Sequence, residues 1–151
     1  MKKLIALVAT MFLAFGLSAC SPEKHSVTIS DPWVRSSEYS AAAGGMTGIF
    51  ATLTNNTDKD ITLTGGKTDA AAMVQTHKVV GGMMQEVKGG LVIPAGGTLT
   101  LEPGGLPVML MGLTNAIVAG DKIDFTFTFD DGSEQTFTLT AKPADGGDEH
   151  Y

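Results

Sequence analysis

The sequence predicts an all-β domain, and three observations carry that expectation. Ile123, Phe125, Phe127 and Phe129 alternate with Asp124, Thr126 and Thr128, the period of two that turns one face of a strand to a core and the other to water. Segments of Gly, Pro, Asn and Asp recur between short apolar runs, and 19 glycines supply the turns this needs. No stretch sustains a helical stripe. Many short strands divided by such turns indicate a β-sandwich or barrel.

The elements follow in order. Met46 to Asn55 holds Ile49, Phe50, Ala51 and Leu53 among threonines and stops at the turn Asn55-Asn56-Thr57-Asp58. Ile61 and Leu63 restart a strand. Asp69 to Met73 can form a single helical turn with Asp69 as N-cap. A strand over Ala71 to Val80 is the competing reading. Gly81-Gly82-Met83-Met84 reads as a hairpin tip, and Leu91-Val92-Ile93 ends at Pro94-Ala95-Gly96-Gly97. Leu99 and Leu101 lie beyond, and Pro103-Gly104-Gly105 breaks the chain before Val108 to Leu113. Lys122 to Thr140 forms a last hairpin about Asp130-Asp131-Gly132-Ser133.

The N-terminus speaks to compartment. Lys2 and Lys3 precede an apolar run from Leu4 to Gly16 that only Thr10 interrupts, and Leu17-Ser18-Ala19-Cys20 follows. A basic start, an apolar stretch and small residues before a cut site describe a secretory signal. The run is short for a transmembrane helix. The tetrapeptide resembles the lipobox of bacterial lipoproteins, which implies cleavage before Cys20 and lipid on its thiol. The expected organisation is a signal over residues 1–19, a lipidated Cys20 with a polar tether over 20–26, a β-domain over 27–142 and an acidic tail over 143–151. The expected location is outside the cytoplasm, anchored to a membrane, in a periplasm or on the outer face of the cell membrane.

Cys20 is the only cysteine, so a lipidated chain has no free thiol, disulfide or thiolate metal ligand. Loss of the signal removes Lys2 and Lys3 and leaves eight basic against 16 acidic side chains. So acidic a surface repels phosphate backbones, which argues against nucleic acid. No nucleophile motif such as G-x-S-x-G occurs, so an enzyme is not expected.

Of eight methionines, five lie between Met73 and Met111, and His77 shares that window. In a strand over Ala71 to Val80, Met73, Gln75 and His77 share a face. In an extended Pro107 to Met111, Pro107, Met109 and Met111 do likewise. Met83 and Met84 sit at a polar hairpin tip with little interior to fill. A thioether is a soft neutral donor, and with imidazole it favours Cu(I). Each residue also has a plainer reading. Met73 and Met111 can be packing, His77 a surface strand histidine, and Met83 with Met84 an apolar cap.

These residues belong to longer stretches that resemble the periplasmic copper(I) chaperones called PCuAC. The likeness runs through Asp31-Pro32-Trp33-Val34-Arg35, Ala41 to Asn55, Ala72-Met73-Val74-Gln75-Thr76-His77 and Met84-Gln85-Glu86-Val87. It is most specific from Ile93-Pro94-Ala95-Gly96-Gly97 through Leu101-Glu102-Pro103-Gly104-Gly105 to Met109-Leu110-Met111-Gly112-Leu113, and it closes on Gly120-Asp121 and the Phe-rich hairpin. The resemblance implies a cupredoxin-like β-sandwich of Greek-key type. It implies Cu(I) held by two His and two Met in an H-x10-M-x21-H-x-M pattern. It also implies delivery of copper to the Cu(A) centre of cytochrome c oxidase, often beside a Sco-type thiol protein.

Carried over residue by residue, the first His falls on His77, the hairpin Met on Met84 with Met83 as a near substitute, and the last Met on Met109. Two departures stand out. The first spacing is H-x6-M here, and the second His position is occupied by Pro107. The inherited set is therefore His77, Met84 and Met109, with Met83, Met73, Met111 or His150 on the tail as possible further donors. A membrane-anchored Cu(I) chaperone is the first expectation. A family member that has lost its metal and serves as a surface interaction module is the second.

Overall fold

The computed structural model describes residues 25–37 and 45–143. Ten strands follow in order: β1 Val27–Arg35, β2 Met46–Asn55, β3 Ile61–Lys67, β4 Ala71–Val80, β5 Met83–Glu86, β6 Leu91–Ile93, β7 Thr98–Leu101, β8 Val108–Leu113, β9 Lys122–Phe129 and β10 Glu134–Lys142. The protein is all-β, and no helix of the described residues is long and apolar enough to cross a membrane.

Hydrogen bonds link the strands in one path, β5-β4-β8-β2-β1-β10-β9-β3-β6, with β7 added on β2. One edge of β2 is divided. Met46 to Ile49 pair with β8, and Ala51 to Thr54 pair with β7. The strands β1 and β10 run parallel, with Val34 opposite Ala141. At the far end of the path, β6 comes back against β2 and β7. The strands thus surround one core.

Alternation decides what fills that core. Phe125, Phe127 and Phe129 of β9 are buried while Thr126 and Thr128 are not. Ile49, Ala51 and Leu53 of β2 and Val108 and Leu110 of β8 join them. Phe125 meets Phe127 edge-on, with ring centroids 4.7 Å apart at 80°, a favoured aromatic geometry. Each such side chain contributes roughly 1.5–3 kcal/mol by leaving water.

The helical turn expected over Asp69 to Met73 is absent. Instead β4 begins at Ala71, which pairs with Leu113 of β8. Pairing along a whole strand satisfies more backbone groups than one capped turn, and tertiary context overrides weak local preference. The Asp69 carbonyl accepts a bond from the Thr114 hydroxyl at 3.3 Å instead of starting a helix.

The first strand was not legible by alternation, because Asp31-Pro32 interrupts it. The β1–β2 register slips between Ser30 and Trp33, and Asp31 takes φ = 51° there. A bulge is where a strand tolerates a proline, which has no N–H to give the ladder. The signal, Cys20 and the acidic tail with His150 lie outside the described residues.

Candidate metal centre

The candidate site is built on β4 and its two neighbours. Gly81 and Gly82 join β4 to β5 with φ of 59° and 77°, the two positive values that a two-residue type I′ turn requires. That turn fixes the hairpin register, so Val79 faces Met84 and His77 faces Glu86. The hairpin is fastened further on by paired bonds between Thr76 and Val87, including Val87 N–H to the Thr76 carbonyl at 2.8 Å.

On its other edge β4 pairs with β8, with Gln75 opposite Met109 and Met73 opposite Met111. The same ladder runs on past the strand end. The His77 N–H donates to the Pro107 carbonyl at 3.0 Å, and the Val79 N–H donates to Gly105 at 3.0 Å. His77 therefore stands directly across from Pro107, which has no N–H with which to return the bond.

Two faces result. Thr76, Val108 and Leu110 are buried on the core side. Met73, Gln75, His77, Met84, Pro107, Met109 and Met111 share the other side, because directly paired residues point the same way. Met83 pairs with Val80 and so falls on the opposite face from His77. It is 66% exposed.

His77 is buried. Its Nε2 lies 3.1 Å from Gln75 Oε1. An amide oxygen only accepts, so this bond places the ring proton on Nε2 and a lone pair on Nδ1. Nδ1 is itself buried and makes no hydrogen bond. Leaving such an atom unsatisfied costs about 1–3 kcal/mol, and a bound metal is one of the ways a native site resolves that cost.

Two methionines share the face of the ring. Met109 sits on the diagonal of His77 toward Gln75, and Met84 on the diagonal toward Val79. Diagonal neighbours stand roughly 7–8 Å apart, within reach of long side chains. Met109 has no exposed surface and lies on an internal strand, whereas Met84 is partly buried on β5, a sheet edge. In a flat sheet the two methionine Cα atoms would be about 16 Å apart, from strand spacing and rise. Both sulfurs can meet one ion when the β4–β5 hairpin curls over the face, and among the described strands β5 hydrogen-bonds to β4 alone.

Met73 and Met111 share this face but lie one row beyond Met109 and Gln75. Met46 joins that row from β2, opposite Met111. The sequence reading passed over Met46, although its parity with Gly48 and Phe50 already separated it from the inward Ile49, Ala51 and Leu53. Among the described residues no three or more His, Cys, Asp or Glu converge as a metal cage. The donors on this face are imidazole and thioether, which suit a soft monovalent ion better than a hard divalent one.

Comparison with known proteins places the fold. The family described as "Putative lipoprotein LpqE-like" matches residues 27–141. A relative from Leifsonia xyli subsp. xyli, "Putative lipoprotein Lxx21020", is 39% identical over 140 residues, covering 89% of this chain and 81% of its own. Among solved structures, the copper-bound PCuAC domain from PmoF2 superposes with a TM-score of 0.67 at 20% identity, over 80% of this chain and 95% of that domain. The Cu(I) form of DR1885 from Deinococcus radiodurans is 31% identical with a TM-score of 0.60, over 76% of this chain and 78% of that one. On these matches the chain belongs to the LpqE-like family and shares the fold of PCuAC domains.

Proposed function

We propose that the chain is a lipid-anchored, extracytoplasmic Cu(I) chaperone with a cupredoxin-like β-sandwich, holding its cargo through His77, Met109 and Met84. The observation that carries this reading is the buried Nδ1 of His77, which makes no hydrogen bond on a face shared with both thioethers. Met109 is a fixed donor and His77 is held in one tautomer by Gln75. Met84 is the donor on a free edge. Cargo then leaves by ligand exchange. An acceptor sulfur enters as Met84 swings away, and the oxidation state of copper does not change. An acceptor in cytochrome c oxidase assembly, a Cu(A) subunit or a Sco-type protein, follows from the family resemblance, and lipid on Cys20 would hold the carrier at the membrane.

The test is Cu(I) competition against a chromogenic chelator under reducing conditions. His77→Ala and Met109→Leu should each weaken binding by about tenfold or more, roughly 1.4 kcal/mol. If both variants bind as the parent does, the site is misplaced.

One observation favours a second reading, in which the domain is a metal-free interaction module. Pro107 stands directly across from His77, where the resemblance leads one to expect a second imidazole. Absence of Cu(I) uptake at micromolar protein would decide for that reading.

A further inference from the structure

The face that carries His77 extends over a third strand, and one of its rows there is made of methionine alone. Met46 of β2 is the direct partner of Met111 of β8, and Met111 is the direct partner of Met73 of β4. Three thioethers thus stand side by side across three adjacent strands. Direct cross-strand partners have Cβ atoms about 4.5–5.5 Å apart, close enough for three flexible arms to converge on one ion. The next row holds Gly48, Met109 and Gln75. Gly48 offers no side chain, and the Phe50 ring fills the space above it, 2.7 Å from where a Cβ would lie.

Packing does not account for this row. None of the three belongs to the hydrophobic core cluster or to the partly buried apolar residues packed against it. Met73 is 56% exposed, and Met46 and Met111 are partly exposed. The core positions of the same strands are filled by Ile49, Val108 and Leu110. A large apolar side chain left in water forgoes the gain of burial; Met73 does so outright, and Met46 and Met111 beside it are only partly buried. What they share is a neutral, polarisable sulfur, the donor that selects Cu(I) and its relative Ag(I) over harder ions.

We infer that Met46, Met73 and Met111 form a second, thioether-only site for a soft monovalent cation, one row beyond the His77 centre and independent of it. It extends the reading of the chain as a copper carrier, but its ligands include none of His77, Met84 or Met109. Met109 lies between the two centres, opposite Gln75 and diagonal to both Met73 and His77. A cation taken up at the exposed row therefore has a sulfur next to it on the way to the imidazole.

The experiment uses the full chain in detergent, labelled with 13C on the methionine methyls and titrated with Ag(I), a redox-inert stand-in for Cu(I). The methyls of Met46, Met73 and Met111 should shift together in the parent and also in His77→Ala, while exposed Met83 stays still. Cu(I) competition should show the Met46→Leu, Met73→Leu, Met111→Leu triple variant losing one bound equivalent and keeping the His77-dependent one. Leucine conserves volume, so the fold should survive. If the triple variant does not fold, Met73→Leu alone, at an exposed position, should lower the affinity of that equivalent at least tenfold. A Met46 methyl that does not move, or a Met73→Leu protein with unchanged binding, overturns the proposal. Shifts in the row with no His77-dependent binding would uphold this site and sink the His77 centre instead.

Discussion

At the scale of single residues, His77 and Pro107 define the chemistry between them. They form a hydrogen-bonded cross-strand pair in which only one of the two bonds can be made. Pro107→His supplies both an N–H for the ladder and an imidazole directly across from His77. We expect Cu(I) affinity to rise by about tenfold or more. Cu(II) should become retained as well, because nitrogen donors suit it better. Chelator competition and electron paramagnetic resonance of the Cu(II)-loaded protein check this. Met109 is a different case, since it is both fully buried and a proposed ligand. Met109→Ala should cost about 2–5 kcal/mol of stability, and Met109→Leu less than about 1.5. Urea unfolding separates the two, and both should lose copper alike if the sulfur is the donor.

At the scale of elements, the β4–β5 hairpin sets where Met84 can go, and its turn rests on two glycines with positive φ. A side chain at Gly82 forces a left-handed conformation worth roughly 1–2 kcal/mol of strain. Gly82→Ala should lower the urea midpoint accordingly and speed Cu(I) release, read by stopped-flow chelation. Gly66 of β3 has a different constraint. A Cβ there would lie 2.1 Å from the Phe125 ring and 2.6 Å from the Thr126 carbonyl. Gly66→Ala should therefore destabilise by about 1–3 kcal/mol or more, with no selective effect on copper.

These elements also show what sequence could and could not reveal. The β9–β10 hairpin was readable because phenylalanine and threonine alternate without interruption. The strand β2 was readable because its apolar block is bounded by Asn55 and Asn56. By contrast β1 was hidden by a bulge at Asp31-Pro32, which breaks the period of two, and the start of β4 stayed open between a helical turn and a strand because its pairing with β8 is remote in sequence. The site followed the same rule. Shared faces along one strand could be counted from parity. The partnership of Met46 with Met111 depends on which strands are neighbours, and no local pattern carries that.

At the scale of the molecule, pH and cargo act on global stability. Ser133 holds the Asp131 carboxyl below the ordinary aspartate value of 3.8, chiefly through its hydroxyl. Partial burial opposes this, while the Ser133 N–H and the Ser26 hydroxyl reinforce it. A folded value below the unfolded one means that ionised Asp131 contributes stability above the unfolded value. That contribution is lost as pH falls through the folded one. Asp131→Asn should therefore be less stable than the parent at pH 7, with the difference narrowing in acid below pH ~4. Urea midpoints across that window check it. Cargo acts in the same way, since an ion bound only by the folded state adds ~2.7 kcal/mol at about a hundredfold excess over Kd. The parent should melt higher with Cu(I) under reducing conditions, and His77→Ala by less.

The course of β1 has a spatial consequence. The first strand leaves the point where the tether would join, at Val27, and ends at Arg35, two residues before Ser37, which bridges Ile117. Its register against β2 brings that far end level with Met46. The nine residues of β1 measure about 30 Å at the usual strand rise. With Cys20 seated in a bilayer, β1 works as a boom that can hold the sulfur-lined rim well clear of the lipid headgroups, so a receiving protein could dock there from the aqueous side without touching the membrane.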